Sequence, residues 1–550
     1  MNFLRFLMQE SGRLGKRIGV ATLFSGVVSG MMVTIILGAA STATDQSQNF
    51  RNLLVFAVAL VGMMVAKRYS LRHATSLTEG IVERLRLRVT DKIRRAELFY
   101  FERIGAERFH NLLTTETQVI SSTATMAINA AASAVMLVVA FGFIAFLSLP
   151  AFFLSLGAIA AAILAYRVSL STVDPLLRQT VKQENRFFAL LNHLLRGFPE
   201  IKINVRKNRD LYEGYLVPAA AELRDLKVES GHRFVTTTII THSAFYVLLA
   251  VIIFLLPKIT QVEPNIIMKL AAVVLFIFGP LAEVVGVLPF LAKASVSIEA
   301  IQEIEDSLDR EVSSHPPVDL EKPPQPWEFQ TLGVRDLEFH YLNEDGSPGY
   351  GLGPLNVTFK RGEMVFIKGG NGSGKSTFLK LLTGLYPAES GSLTIDGVDV
   401  RPTQLQRLRE LYSIVFTDFH LFDRLYGLNA IEEERLSQLI HEMELTEKTA
   451  FYEGRFSNID LSTGQRKRLA LITVLVEDKP ILIFDEWAAD QDPAFRKHFY
   501  HDILPALQGE GKTIIAATHD DHYFHAADRV LTMDYGQFAE SPEGSLDFSS

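Results

Sequence analysis

The chain has 550 residues, enough for two or three domains, and 48% of them are hydrophobic, giving a mean hydropathy of +0.18 that is high for a soluble protein. A net charge of −8 offers no basic footprint for nucleic acid, so that class of partner is set aside. The absence of cysteine excludes disulfides, cysteine-ligated zinc, iron–sulfur clusters and thiol catalysis.

The apolar residues concentrate before residue 300, in runs suited to a bilayer whose hydrocarbon core takes about 20 residues as a helix. The first run, 18–40, follows Arg13, Lys16 and Arg17. It exceeds the roughly 7–15 residues of a signal-peptide core and reads as a retained span. Further spans are expected at 53–66, 127–149, 151–166, 234–256 and 266–292, with Pro150 forcing a tight hairpin between the third and fourth. Charge then orients them. Lys67, Arg68, Arg72 and Arg84 follow the second span and Arg167, Arg178 and Lys182 the fourth, whereas residues 41–52 offer only Arg51. The positive-inside bias places both termini and both long connections in the cytoplasm. Those connections keep a helical period without turn-rich breaks, which predicts helices projecting well beyond the membrane.

Polar groups inside the spans are functional candidates because they are costly there. Glu283 and His242, with Asn129 and the threonines at 236–238, are expected either to line an inward-facing cavity or to pair between helices without touching cargo. Pro280 and Pro289 each remove a backbone donor and are expected to bend the sixth span.

Residues 311–327 are proline-rich without helical period and read as a linker between a membrane domain, 1–310, and a soluble α/β domain, 328–550. A strand at 334–341 precedes a second at 364–368, which runs into Gly369, Gly370, Asn371, Gly372, Ser373, Gly374, Lys375 and Ser376, then Thr377 and an apolar helix to 383. This is a complete GxxxxGK[ST] loop. Glycines let backbone N–H groups wrap phosphate oxygens, and the following helix adds its partial positive charge. Lys375 is expected to reach the β- and γ-phosphates of ATP and Ser376 to ligate Mg²⁺. The apolar strand 481–484 then delivers Asp485, to hold Mg²⁺, and Glu486, to polarise the attacking water. The fold class is an α-helical six-span transmembrane domain fused to an α/β P-loop domain.

Between these motifs, Leu461-Ser462-Thr463-Gly464-Gln465-Arg466 resembles the signature of ATP-binding cassette (ABC) proteins, with Thr463 in place of a glycine. Six spans ahead of a cassette resemble the exporter-type ABC half-transporter. The resemblance implies that Tyr341 stacks on adenine, Asp492 is the D-loop aspartate and His519 contacts the γ-phosphate. It implies that Ser462, Thr463, Gly464 and Gln465 face ATP held by the P-loop of a second, identical subunit, so that a homodimer completes both sites. Coupling regions are expected around 101–108 and 206–215. Thr417 stands where the family usually has a metal-contacting glutamine; the side chain is shorter, and Asp418, His420 or water are its expected helpers.

The stretches DEWAADQDP at 485–493, FTDFHLFD at 416–423 and GFPEIK at 197–202 resemble the cyclic-peptide and siderophore-peptide branch, which includes exporters for pyoverdine precursors, syringomycin-type lipopeptides and microcin J. The resemblance implies ATP-driven export of a peptide across the inner membrane. Lipid flipping, multidrug export, import on the same fold and a non-transporting regulator are the alternatives.

Overall fold

A computed structural model describes residues 3–41, 46–260, 263–314, 325, 327–343, 347–428 and 432–539. It forms two compact units, one of Met1–Leu87 with Leu112–Ile301 and one of Arg88–Asn111 with Gln302–Ser550.

The first unit is helical. Among the described residues, Gly15–Ala39, Phe50–Ile93, Ala106–Leu147 and Pro264–Arg310 are long and apolar enough to cross a membrane. Leu149–Ala161 and Phe245–Ile259, at the places expected for the fourth and fifth spans, are shorter apolar stretches. Gln46–Ile93 and Leu149–Arg196 are helices of 48 residues each, or about 70 Å at 1.5 Å per residue.

The hairpin at Pro150 has a local cause. Ser148 leaves the helical region (φ −163°, ψ 113°), and its Oγ accepts from the Ala151 amide at 3.4 Å. It thereby caps a helix that carries proline in its first turn, where no donor is missed. The sixth span is interrupted close to its second proline. Pro280 lies inside the helix Pro264–Gly286, but that helix ends before Val287, and Pro289 sits in the first turn of the next, Leu288–Ser314. One bent span is thus two successive helices, and the second continues to Ser314, into the first residues of the expected linker. Residues 315–324 and 326 of that linker lie outside the described residues.

Gly26 and Gly30 let the first helix, Phe3–Ser41, approach the helix Thr117–Leu147 closely. A Cβ on Gly26 would stand 2.6 Å from the Ala132 carbonyl, and one on Gly30 would stand 2.8 Å from Val139 Cβ. Small residues at such a crossing replace hydrophobic drive with backbone proximity, as membrane helices require.

The second unit carries β1 (Thr331–Leu342), β2 (Pro348–Lys360), β3 (Met364–Lys368), β4 (Ser390–Ile395), β5 (Val398–Asp399) and β6 (Tyr412–Val415). These are followed by the hairpin β7 (Phe451–Tyr452) and β8 (Arg455–Phe456), then β9 (Ile481–Asp485), β10 (Thr513–Ala517), β11 (Arg529–Asp534) and β12 (Gln537–Phe538). Strands β2-β1-β4-β5 form an antiparallel sheet, and β12-β11-β3-β10-β9-β6 a second sheet that is parallel except at β12. Parallel strands are buried on both faces, hence the unbroken apolar runs at 364–367 and 481–484. Alternate residues serve opposite cores: Met364, Phe366, Leu482, Phe484 and Ile514 face one, Val365, Ile367, Ile481, Ile483 and Ile515 the other.

Candidate nucleotide site

Register builds the site. Ala517 of β10 lies opposite both Ile367 of β3 and Asp485 of β9, so the three strands end level. Their continuations therefore emerge side by side at the carboxyl edge of the sheet, where parallel α/β sheets take ligands. The P-loop leaves β3 with positive φ at Gly372 (78°) and Gly374 (105°), conformations open to glycine, and delivers Lys375 to the start of the helix Lys375–Leu382. Lys375 is 5% exposed, and its Nζ donates to the carbonyls of Gly369 (2.9 Å) and Gly370 (3.2 Å). It also lies 3.0 Å from His519 Nε2 and 3.3 Å from Glu486 Oε1, while His519 Nε2 and Glu486 Oε1 are 3.0 Å apart. An ammonium, an imidazole and a carboxylate, more than 100 residues apart at the extremes, thus meet around one point.

Glu486 adopts φ 51°, left-handed for a residue with a Cβ. Such a conformation costs about 1–3 kcal/mol and must be held by its surroundings. Its amide donates to the Ala517 carbonyl at 2.9 Å, and its own carbonyl accepts from Lys467 Nζ at 2.7 Å.

On the signature side, Ser462 caps the helix Thr463–Glu477, with Gln465 completing a reciprocal capping box. Gln465 is therefore committed to its own helix start. Gln491 Nε2 donates to the Gly464 carbonyl at 3.1 Å, joining the signature to the 487–492 stretch. Asp492 caps the helix Pro493–His498 through the amides of Ala494 (3.1 Å) and Phe495 (2.9 Å), and pairs with Arg468 at 2.5 Å. The Phe495 amide, followed by the Arg468 charge, holds its carboxyl below the ordinary aspartate value. Within this chain Asp492 is a helix cap.

Two family models match the chain: "ABC transporter" over residues 352–489, and "ABC transporter transmembrane region" over residues 18–207. The chain belongs to the ABC transporter family. It is 28% identical to the ATP-binding protein SyrD of Pseudomonas syringae pv. syringae, over 93% of this chain and 92% of that one. It is 32% identical to an ATP-dependent lipid A-core flippase of Vibrio vulnificus (strain YJ016), over 38% of this chain and 37% of the flippase. Its fold is similar to that of a solved bacterial Atm1-family ABC exporter with ATP bound, with a TM-score of 0.76, 18% identity, and coverage of 96% of this chain and 95% of that one. One membrane half fused to one cassette makes this ABC transporter an exporter-type half-transporter and a transport-coupled ATPase.

The cassette residues fit a divalent cation. Asp485 is buried, and its Oδ1 finds no hydrogen-bond partner among the described residues. Burial raises its pKa above the ordinary value, against the opposing hydrogen bonds of the Ser376 and Thr417 side chains. A desolvated carboxylate flanked by two hydroxyls is a hard-oxygen donor set, the kind Mg²⁺ takes. Thr417, just past β6, also donates to the Asp485 carbonyl at 3.1 Å. Despite its short side chain it lies beside Asp485.

Tyr341, at the end of β1, bonds the Thr377 hydroxyl at 3.0 Å and sits in an aromatic cluster with Phe339, Tyr386 and Phe99. The last is a contact that sequence reasoning missed. In this ABC transporter the short helix Leu98–Ile104 packs on the cassette core: Phe99 lies 5.4 Å from Phe339 and 5.2 Å from Tyr386, Glu102 pairs with Lys380 at 2.9 Å, and Glu97 pairs with Arg409 at 2.5 Å. Glu102 also accepts from the Tyr386 hydroxyl, and burial with that bond keeps the phenol neutral. The contacts come from 97–102, which overlaps the start of the expected 101–108. The segment 206–215 forms the end of a short helix, Val205–Arg209, and a π-turn, Asp210–Leu216, with Tyr212 and Tyr215 exposed.

In the membrane half, Glu283 accepts a hydrogen bond from the largely buried Ser133, one helical turn from the half-buried Asn129. The side chain of His242 lies outside the described residues, as do those of Thr237 and Thr238.

Proposed function

We propose that this ABC transporter works as a homodimer that exports a peptide, cyclic or siderophore-type, across the inner membrane by alternating access, with both termini in the cytoplasm. The hydrolytic reading rests on the meeting of Lys375, His519 and Glu486 within 3.3 Å. Lys375 binds the β- and γ-phosphates of ATP, His519 contacts the γ-phosphate, and Glu486 orients and deprotonates the attacking water. Mg²⁺, when bound, neutralises phosphate charge, and Ser376 and Asp485, with Thr417 beside them, are the residues that would hold it. Tyr341 stacks on adenine. The signature Ser462, Thr463 and Gly464 of one subunit, with the D-loop Asp492, face the nucleotide held by the other.

Peptide cargo is supported by the 485–493, 416–423 and 197–202 stretches, which resemble the peptide-exporting branch. It is also supported by a likeness to SyrD that runs through the membrane half, where cargo is selected. The lipid reading is favoured by the 32% identity to the lipid A-core flippase, which extends over little more than a third of either chain. ATPase assays in reconstituted bilayers separate them. Cyclic and siderophore peptides should raise turnover at least twofold where lipid A-core does not; the reverse pattern would overturn peptide cargo.

A further inference from the structure

The hydrolytic reading leaves most of the run Trp487-Ala488-Ala489-Asp490-Gln491-Asp492 without a role. Each of its polar or aromatic-donor side chains has a partner on the signature helix Thr463–Glu477. Trp487 Nε1 donates to the Lys467 carbonyl at 2.9 Å, Asp490 pairs with Lys467 Nζ at 2.7 Å, and Gln491 and Asp492 both bond Arg468, at 2.9 and 2.5 Å. Trp487 is 1% exposed and stacks on Phe499 at 4.2 Å between centroids, so this end of the seam is core, while the Asp490 and Asp492 side chains stay open to solvent.

Lys467 is the centre of the seam. It is 2% exposed, and burying an ammonium is expensive unless its donors are met. Two are met, by the Asp490 carboxylate and by the main-chain carbonyl of Glu486, each at 2.7 Å. The second bond falls on the one residue of the hydrolytic cluster with a left-handed backbone. The Glu486 peptide is gripped on one side by the Ala517 carbonyl and on the other by Lys467, and between these grips φ is held at 51°. That backbone setting aims the Glu486 carboxylate at Lys375 and His519 rather than along the strand direction.

We propose that Lys467 is a positioning residue for Glu486: its buried ammonium, anchored by Asp490, holds the Glu486 carbonyl and thereby sets the carboxylate from the signature helix. This inference rests on the assignment of Glu486 as general base. Lys467 Nζ is engaged by the Glu486 carbonyl and the Asp490 carboxylate, not by the P-loop, so its loss should act on the catalytic step and leave ATP binding alone. A merely structural ion pair would instead show itself in stability and in ATP affinity together.

The test uses the full chain in nanodiscs. Lys467→Met keeps the stem and removes the donor. It should lower kcat at least tenfold while leaving KM for ATP and the binding of a fluorescent ATP analogue within twofold, and Lys467→Arg should recover part of the loss. Unchanged kcat, or a loss carried by KM, overturns the proposal. If the methionine variant does not fold, Asp490→Asn carries the test by slackening the anchor with the ammonium in place: kcat two- to fivefold lower at unchanged KM supports the proposal, and unchanged kcat overturns it. Glu486→Gln measured alongside separates the two assignments. Turnover surviving in Glu486→Gln removes Glu486 as the base, whereas an inactive Glu486→Gln beside a fully active Lys467→Met removes Lys467 alone.

Discussion

At the scale of single residues, Glu486 and Asp485 are adjacent carboxylates with opposite surroundings. Glu486 projects into a cluster with an ammonium and an imidazole, and its proposed role as general base predicts a definite phenotype. Glu486→Gln should bind ATP normally and lose about 10²–10⁴-fold in turnover, the usual worth of a positioned base; single-turnover hydrolysis after ATP loading checks it. Asp485 faces burial, which raises its pKa. A carboxyl whose folded pKa is raised destabilises the fold as pH climbs from its unfolded value through the folded one, because the charge must then be carried inside. In chelator at neutral pH, Asp485→Asn should therefore raise the melting temperature while abolishing Mg²⁺-dependent ATPase. Relief of about 1 kcal/mol corresponds to about 2–4 °C in a domain of this size. A variant that melts lower in chelator contradicts the argument. Asp492 has the opposite sign: its depressed pKa contributes stability above the ordinary aspartate value, lost only as pH falls below it, and its exposure to solvent keeps the effect small.

At the scale of elements, the helix Leu98–Ile104 is the instructive case. Its apolar face was legible only as FYF followed by Glu102, Arg103 and Gly105, and the resemblance pointed to 101–108, which only partly overlaps the contacting residues. Packing decides the matter, because Phe99 is the ring that completes the cluster of Phe339, Tyr341 and Tyr386. Phe99→Ala should leave basal ATPase within twofold and reduce cargo-stimulated ATPase several-fold, since it loosens the helix without touching the phosphate site; equal loss of both would argue that Phe99 only stabilises the cassette. The Ser133–Glu283 bond poses a similar choice within the membrane half. If Glu283 also lines the cargo path, Glu283→Gln should change the rank order of stimulating peptides while Ser133→Ala does not. Identical profiles for the two variants leave Glu283 as an interhelical partner.

At the scale of the whole molecule, one chain contains one P-loop and one signature, and the signature is committed through Gln491 to its own 487–492 stretch. In the proposed homodimer the signature of one chain faces the P-loop of the other, so that a twofold dimer of identical chains would complete two sites at once. Co-expressed copies carrying different tags should co-purify in detergent, and Glu486→Gln in one copy of a mixed dimer should lower turnover by at least half. Failure of the tagged copies to co-purify would count against the homodimer.

The chemistry of the nucleotide site was readable in the amino-acid sequence because its parts are local: eight consecutive residues make the phosphate loop, and an apolar strand ending in Asp485-Glu486 makes the acidic edge. The apolar runs were readable for a related reason, since partition into lipid is set by composition over about 20 residues. Tertiary structure decided what no window of sequence contains. Strand order and register bring His519 to Glu486, and the break at Val287 divides what hydropathy alone joins. Phe99 docks two residues ahead of the expected segment, and Lys467 reaches forward to the Glu486 carbonyl. Those outcomes depend on which elements become neighbours, and that is settled by the packing of the whole sheet and helix layer rather than by the local preferences of any segment.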